Sequence, residues 1–417
     1  MIKKTIIIFI NHLEKKIRTD VRYVLKGFFW LGSGHFISML TGLATSVAFA
    51  NLLVPETYGN FRYALSLLPF LEITTLAGLN NSFTISVSKG LEGDFYNILK
   101  TRMKWGLLGT LGGLFLSFYY YFNGNKELSL LIAIMAIFVP LLNTPTIYGG
   151  LLLGRKKFKV ISVINSISSI VYTITTVVTI FFFKEVIILL LSYLVVNTLI
   201  RFGLLLYVVK TNPPNNNKDE KVINYGKKIS VLEIINIISS SLDNILIFHY
   251  LGAVELAIYS FVKKVPENIK FIPRFLTDLS TPKFSSKDIG DPFVKKEVLR
   301  KTIIFYSGMA GIVVIYIILA PFIFRTLFGP YREYAYLSQL YAISFALNFG
   351  GLFLNFVETN RKVKSVVSMH LITSSITIAV VFLSLKFYGL TGLVLGYSGI
   401  RFINSWIRYL YFRKATS

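Results

Sequence analysis

The chain has 417 residues, 54% of them hydrophobic and only 15% charged, and its mean hydropathy is +0.62. Soluble domains carry about 25% charged residues, so an ordinary soluble enzyme is excluded and a polytopic membrane protein is expected. The formal charge of +24 then needs either a nucleic-acid partner or a topological reason.

A helix needs about 20 mainly apolar residues to cross ~30 Å of hydrocarbon. In chain order, such windows fall at 28–53, 62–88, 103–122, 128–153, 160–183, 186–209, 229–251, 256–281, 302–324, 334–358, 364–385 and 388–412. Twelve transmembrane helices follow, and the long apolar runs lack the alternation of a membrane barrel. The segment before them opens MIKKTIIIFINHLEKK. Its apolar core is short for a signal peptide and no small-residue cleavage site follows. Residues 1–26 read as a basic amphipathic segment on the membrane surface or as a disordered tail.

Alternating the gaps between these spans gives the charge its reason. One side collects 32 of the 44 Lys and Arg, among them Lys89, Arg102, Arg155–Lys157, Lys227 and Arg361. The other side collects six (Arg62, Lys126, Lys184, Arg325, Arg332 and Lys386), and six lie inside spans. By the positive-inside rule the rich side is cytoplasmic. Both termini are expected there, in a bacterial inner membrane, and no nucleic acid is expected.

The chain also resembles itself. ANLLVPETYGNF (50–61) and FHYLGAVELAIY (248–259) both close the first span of a six-span set. GRKKFK (154–159) matches NRKVK (360–364), and Asn197 and Arg201 match Asn404 and Arg408. Two six-helix lobes are expected, 1–210 and 229–417, joined by a cytoplasmic linker at 211–228 whose TNPPNNNKDEK has linker composition. An even number of spans makes the repeats parallel.

The LLVPETYGNF turn, the LDNILIFHYLGAVELAIYSF stretch (242–261) and the basic GRKKF turn together resemble Wzx-type polysaccharide flippases, which move O-antigen and capsule repeat units. These belong to the multidrug/oligosaccharidyl-lipid/polysaccharide (MOP) exporter superfamily. The resemblance covers nearly the whole chain. It implies an all-α, MATE-like pair of lobes around a V-shaped central cavity. It also implies an undecaprenyl-pyrophosphate-linked oligosaccharide as substrate, with the bilayer and the polymerase and chain-length machinery of the same pathway as partners.

Ionisable groups inside spans are costly and so point to cavities or partners. In the eighth span Lys263, Glu267, Lys270 and Arg274 are spaced to share a helix face, with Lys264 beside them. Such a cationic stripe suits a pyrophosphate. The bland alternatives are internal pairing with Glu267 and snorkelling of the end residues. Arg401, Asp243 and Asn244 complete the expected substrate-binding set. Glu72, repeat-equivalent to Lys270, is a gate or ion site, or a static charge pair. Glu267 is grouped with it, and so are His35 and its repeat partner Glu233. Pro140, Pro145, Pro266 and Pro273 permit kinks. No Cys is present, and the four His (His12, His35, His249, His370) lack metal-ligand spacing. No cofactor, metal or catalytic residue is expected; coupling to the membrane potential, H+ or Na+ is left open. The alternatives are an organic-cation antiporter of the same fold, or a membrane polymerase or glycosyltransferase, which would want larger external loops.

Overall fold

The computed structural model describes residues 21–270, 292–359 and 363–415, all of them helix or short connection. Residues 1–20, together with Arg274, Pro273 and Arg361, lie outside the described residues. The helices are α1 (Val21–Leu52), α2 (Pro55–Glu72), α3 (Gly78–Ser88), α4 (Phe95–Phe122), α5 (Lys126–Asn143), α6 (Ile147–Gly154) and α7 (Phe158–Phe182). They continue as α8 (Val186–Thr211), α9 (Val222–Leu251), α10 (Ala253–Glu267), α11 (Pro292–Leu327), α12 (Ala335–Ala346), α13 (Gly351–Thr359) and α14 (Val363–Ala415). Among the described residues, six helices are long and apolar enough to cross a membrane by themselves, or seven if one bent pair (Gly329–Ala346 with Gly351–Val357) counts as one. The twelve windows all overlap described helix. Several are broken, and this is where the sequence expectation needs correcting.

The breaks have a pattern. The second window splits into α2 and α3 around the 3-10 turn Ile73–Thr75, and the fourth into α5 and α6 around Thr144–Thr146. In the other half, α10 stops at Glu267 and passes into the turn Asn268–Lys270, while α12 and α13 are separated at 347–350. Pro145 lies within its turn, Pro140 just before it, and Pro266 in the last turn of α10. Proline removes a backbone donor and disfavours continuing helix, so the local sequence accounts for the breaks at Thr144–Thr146 and after Glu267. The last two windows run on as α14, which bends at Gly389 with φ 59° and ψ −149°. That backbone is open to glycine and strained for other residues.

Two compact units emerge. One comprises the chain up to Thr45 and Ala64–Ser241; the other comprises Ser46–Tyr63 and Leu242–Ser417. The end of α1, the VPETYG turn and the start of α2 therefore pack with the C-terminal half. In that second unit the two repeat-equivalent turns meet. Tyr58 stacks on Phe261 at 4.6 Å and Tyr63 on Phe248 at 3.7 Å, and Arg62 Nε donates to Ser260 Oγ at 3.3 Å. A Cβ at Gly59 would lie 1.9 Å from the Ala253 carbonyl oxygen. Glycine is thus a packing requirement of this turn. The first unit is centred on Leu79, Phe83, Phe95, Ile98, Ile147 and Leu151, all fully buried.

The stretch 211–221 is ordered onto the first unit despite its linker composition. Arg155 grips the Glu92 carboxylate through Nε at 2.7 Å and Nη2 at 2.5 Å, and also donates to the carbonyls of Asn212 and Pro213. Lys157 bonds Asn212, Gly93 N donates to Asn217 O at 2.7 Å, and Asp219 N donates to Asp94 Oδ2 at 2.8 Å. The hydrogen bond from Arg155 holds the Glu92 carboxyl below its usual range, and Glu92 in turn raises Arg155. A depressed carboxylate contributes stability above its unfolded pKa of about 4.3 and loses it as pH falls through the lower folded value. We expect hydrogen exchange of residues 212–219 to accelerate below about pH 4 in the wild type. Glu92→Gln should show the faster exchange already at pH 7, at a cost of about 1.5–3 kcal/mol for a charged hydrogen-bonded pair. Unchanged exchange in that variant would remove the clasp.

Candidate functional site

The second unit holds a continuous polar network built from α9, α10, α12 and α14. Asp243, on α9, is buried with its neighbour Asn244. Its Oδ2 accepts from Tyr259 Oη at 2.7 Å, Tyr397 Oη at 3.0 Å and Lys263 Nζ at 3.2 Å. Lys263 also donates to Asn244 Oδ1 at 3.2 Å and sits over the Tyr259 ring at 4.4 Å. Spacing explains the meeting: Tyr259 and Lys263 are four residues apart on α10 and so share a face.

The network continues through Tyr341 on α12, which is 2% exposed. Its ring makes edge contacts with Tyr259 at 6.4 Å and Tyr397 at 5.6 Å. Arg401 Nη2 donates to Tyr341 Oη at 3.2 Å and Nη1 to Ser344 Oγ at 2.6 Å, while its guanidinium lies 3.8 Å from the Phe345 ring centroid. Tyr341 Oη donates to Glu267 Oε1 at 3.3 Å, and Lys270 Nζ donates to the same oxygen at 2.8 Å. Lys263, Lys270 and Arg401 all act electrostatically on Glu267. Three cations and two carboxylates therefore share one cluster, leaving it net positive.

Six of the sequence-predicted residues are thus brought together: Asp243, Asn244, Lys263, Glu267, Lys270 and Arg401. The predicted helix face is not what joins them. α10 ends at Glu267, so Lys270 sits at the end of the following 3-10 turn with its side chain 53% exposed, rather than mid-helix. Lys264 feels the charges of both Arg62 and Glu267. Sequence reasoning missed Tyr259, Tyr341, Tyr397 and Ser344. A tyrosine in an aromatic-rich membrane chain gives no signal by itself; only its i,i+4 spacing from Lys263 could have flagged Tyr259.

The first unit has its own cluster, at the α2/α3 and α5/α6 breaks. Glu72 hydrogen-bonds Asn143 and feels the charges of Arg201 and Arg102. Arg102, 1% exposed, donates Nε to Thr75 O at 3.1 Å, and Nη1 to Asn80 Oδ1 at 2.8 Å and Thr146 Oγ1 at 3.2 Å. Arg201 Nη1 donates to Leu142 O at 2.8 Å. Both guanidiniums thus satisfy carbonyls released where a helix breaks, as backbone in a membrane demands. This corrects the reading of Arg102 as a topological cation: it is buried inside its unit. Glu72 finds its partners in its own unit. His35 is exposed on α1 and Glu233 half-buried on α9, both in the first unit. The repeat match of Arg201 with Arg408 also has a structural counterpart. Arg408 packs at Gly350, in the break between α12 and α13, as Arg201 does at the break after α5.

The family model for "Polysaccharide biosynthesis protein" matches residues 24–286, well over half of the sequence. The chain belongs to this family. No functionally curated protein matches it. Solved structures extend the comparison to nearly all of the chain. The lipid II flippase MurJ in an inward closed conformation has TM-score 0.69 at 14% identity, over 93% of this chain and 89% of MurJ. A multidrug resistance MATE family transporter of the MOP superfamily has TM-score 0.64 at 11% identity when inward-facing, over 90% of this chain and 94% of that one. Its outward-facing form gives 0.65 at 11%, over 94% and 95%. The family member described here thus has the MOP transporter fold and is a multi-pass membrane protein. Those neighbours are a flippase and a transporter, not enzymes.

Proposed function

We propose that this polysaccharide biosynthesis family member is a flippase. It carries an undecaprenyl-pyrophosphate-linked oligosaccharide repeat unit from the cytoplasmic to the outer leaflet of a bacterial inner membrane, by alternating access of its two lobes. The observation that supports this best is the net-positive cluster of Lys263, Lys270 and Arg401 within the membrane region of a chain of this family. A diphosphate cannot cross hydrocarbon with its charges unpaired. Cations on aromatic and hydroxyl scaffolding offer it partners, and Arg and Lys pair well with phosphate oxygens.

The residues divide the work. Lys263 is already held by Asp243 and Asn244 and keeps the cluster's geometry. Lys270 and Arg401 converge on Glu267, which serves as an internal counter-anion. An entering diphosphate displaces Glu267 from these two cations, and its return on exit favours release. With the cell interior negative, outward movement of an anion is favoured by about 2.3 kcal/mol per charge per 100 mV. An organic-cation antiporter would want the opposite excess of charge. A membrane enzyme would need catalytic groups on larger links than 123–125 or 183–185.

Reconstitution tests this. Proteoliposomes holding the full chain are expected to move fluorescent undecaprenyl-pyrophosphate-linked saccharides between leaflets. Lys270→Ala, which breaks only a half-exposed ion pair, should slow that at least tenfold with folding retained. No movement of any lipid-linked saccharide by the wild type would sink the reading, and wild-type rates in Lys270→Ala would remove this residue from it.

A further inference from the structure

The first unit contains a cavity of about 300 Å³ between α3, α6 and α7, apart from the charged network. Asn81, Tyr148 and Asn165 line it, one from each helix. Each lies six or seven residues from the cation-rich end of its helix, about 10 Å at 1.5 Å per residue. All three therefore stand at one level inside the membrane region. None of their side chains hydrogen-bonds any described residue, and Asn81 and Asn165 are exposed. Three amide and hydroxyl groups at one level, lining the cavity and bonded to no described residue, offer a polar guest both donors and acceptors.

The rest of the wall narrows the choice. Asn80 and Thr146 also line the cavity, but they are already committed to each other and to Arg102 behind them. That frame fixes α3 against the α5/α6 break and makes the cavity rigid. No Lys, Arg, Asp or Glu lines it, so it offers a guest no direct ion pair, although the charge of Arg201 reaches Tyr148. Leu152, Ile161 and Ile164 form an apolar side. Uncharged groups that both donate and accept, opposite an apolar wall, suit a ring with hydroxyl or acetamido edges and a hydrocarbon face. The volume lies at the small end of ligand pockets, fitting one such ring.

We infer that this cavity is a subsite for one neutral sugar of the transported head, with Asn81, Tyr148 and Asn165 reading its hydroxyl or acetamido groups. The inference rests on the flippase reading and assigns sugar selectivity to the first unit. These three side chains hold no internal hydrogen bonds among the described residues, so replacing them leaves the fold intact.

The test measures binding by the full chain in lipid nanodiscs. One probe is bare undecaprenyl pyrophosphate; the others carry single neutral hexoses or N-acetylhexosamines on it. The wild type is expected to bind at least one sugar-bearing probe more tightly than the bare lipid. Asn81→Ala, Asn165→Ala and Tyr148→Phe should each reduce that gain by about three- to tenfold, the worth of one neutral hydrogen bond. Their affinity for the bare lipid should stay unchanged. Equal wild-type affinity for bare and sugar-bearing lipids, or variants that keep the gain, would overturn the subsite while the flippase reading stands. Failure of the wild type to bind any of these lipids would overturn the flippase reading and the subsite together.

Discussion

Asp243→Ala is expected to abolish translocation and to destabilise the C-terminal unit by about 3–5 kcal/mol, the cost of breaking a buried ion pair from one side. The carboxylate accepts from Tyr259, Tyr397, Lys263 and the Asn244 backbone N–H. Without it, the Lys263 ammonium, on a residue only 9% exposed, keeps Asn244 as its remaining hydrogen-bonded partner among the described residues. The phenols of Tyr259 and Tyr397 also lose their acceptor. Instability alone would stop transport, so the single variant cannot assign a role. The double variant Asp243→Asn, Lys263→Met separates the two effects. It removes both charges and keeps an acceptor for the tyrosines, so thermal unfolding in detergent should return most of the way to wild type. Translocation should stay impaired, because Glu267 then faces fewer cations and the cluster loses its internal order. Wild-type transport in the stable double variant would reduce this pair to scaffolding. Wild-type stability in Asp243→Ala would contradict the network itself.

Much of this was legible in the sequence, and the physical reasons differ by feature. Long apolar runs reveal helices because the bilayer demands about 20 apolar residues. The expected repeat rests on basic turns and paired arginines because charge is rare enough in such a chain to stand out, although the compact units divide near Ser241 rather than at 211–228 and exchange Ser46–Tyr63. The same rarity exposed Asp243, Lys263 and Arg401. Hidden were the places where helices stop being helices. A window of about 20 residues averages across Thr144–Thr146 and Ile73–Thr75 and so does not mark the 3-10 backbone there. The stripe in the eighth span assumed one continuous helix; α10 ends at Glu267, so Lys270 lies off that face. The tyrosines were invisible because function comes to them from partners on other helices. The 211–221 stretch has linker composition, yet Arg155 and Glu92 fasten it, and a pairing 63 residues apart leaves no local mark.

The two clusters show how one fold can use buried charge in different ways. In the second unit, charges bond to side chains and to each other, and the excess is positive and partly exposed at Lys270. Such groups can exchange partners with a guest. In the first unit, Arg102 and Arg201 are bonded to backbone carbonyls at helix breaks. Exchanging those bonds would release buried carbonyls, so this cluster is suited to holding shape. The uncharged cavity beside it inherits that rigidity through Asn80 and Thr146.

That contrast makes Arg102 the most sensitive position in the first unit. Arg102→Met keeps much of the volume but removes donors to Thr75 O, Asn80 Oδ1 and Thr146 Oγ1, and takes one of two guanidinium charges away from Glu72. A loss of about 3–5 kcal/mol is expected, enough to leave little folded protein. Arg102→Lys should rescue poorly, because a single ammonium cannot reproduce a planar fork that donates from Nε and Nη1 to separate acceptors. Adding Glu72→Gln to Arg102→Met should recover part of the loss, since the carboxylate is then no longer left with Arg201 alone to balance it. The coupling in that double-mutant cycle should be on the order of 1–3 kcal/mol, read from denaturation in detergent. If Arg102→Met instead unfolds like the wild type, the guanidinium does not hold the break. Its charge would then belong with the cations of the loops, where a count along the sequence had placed it.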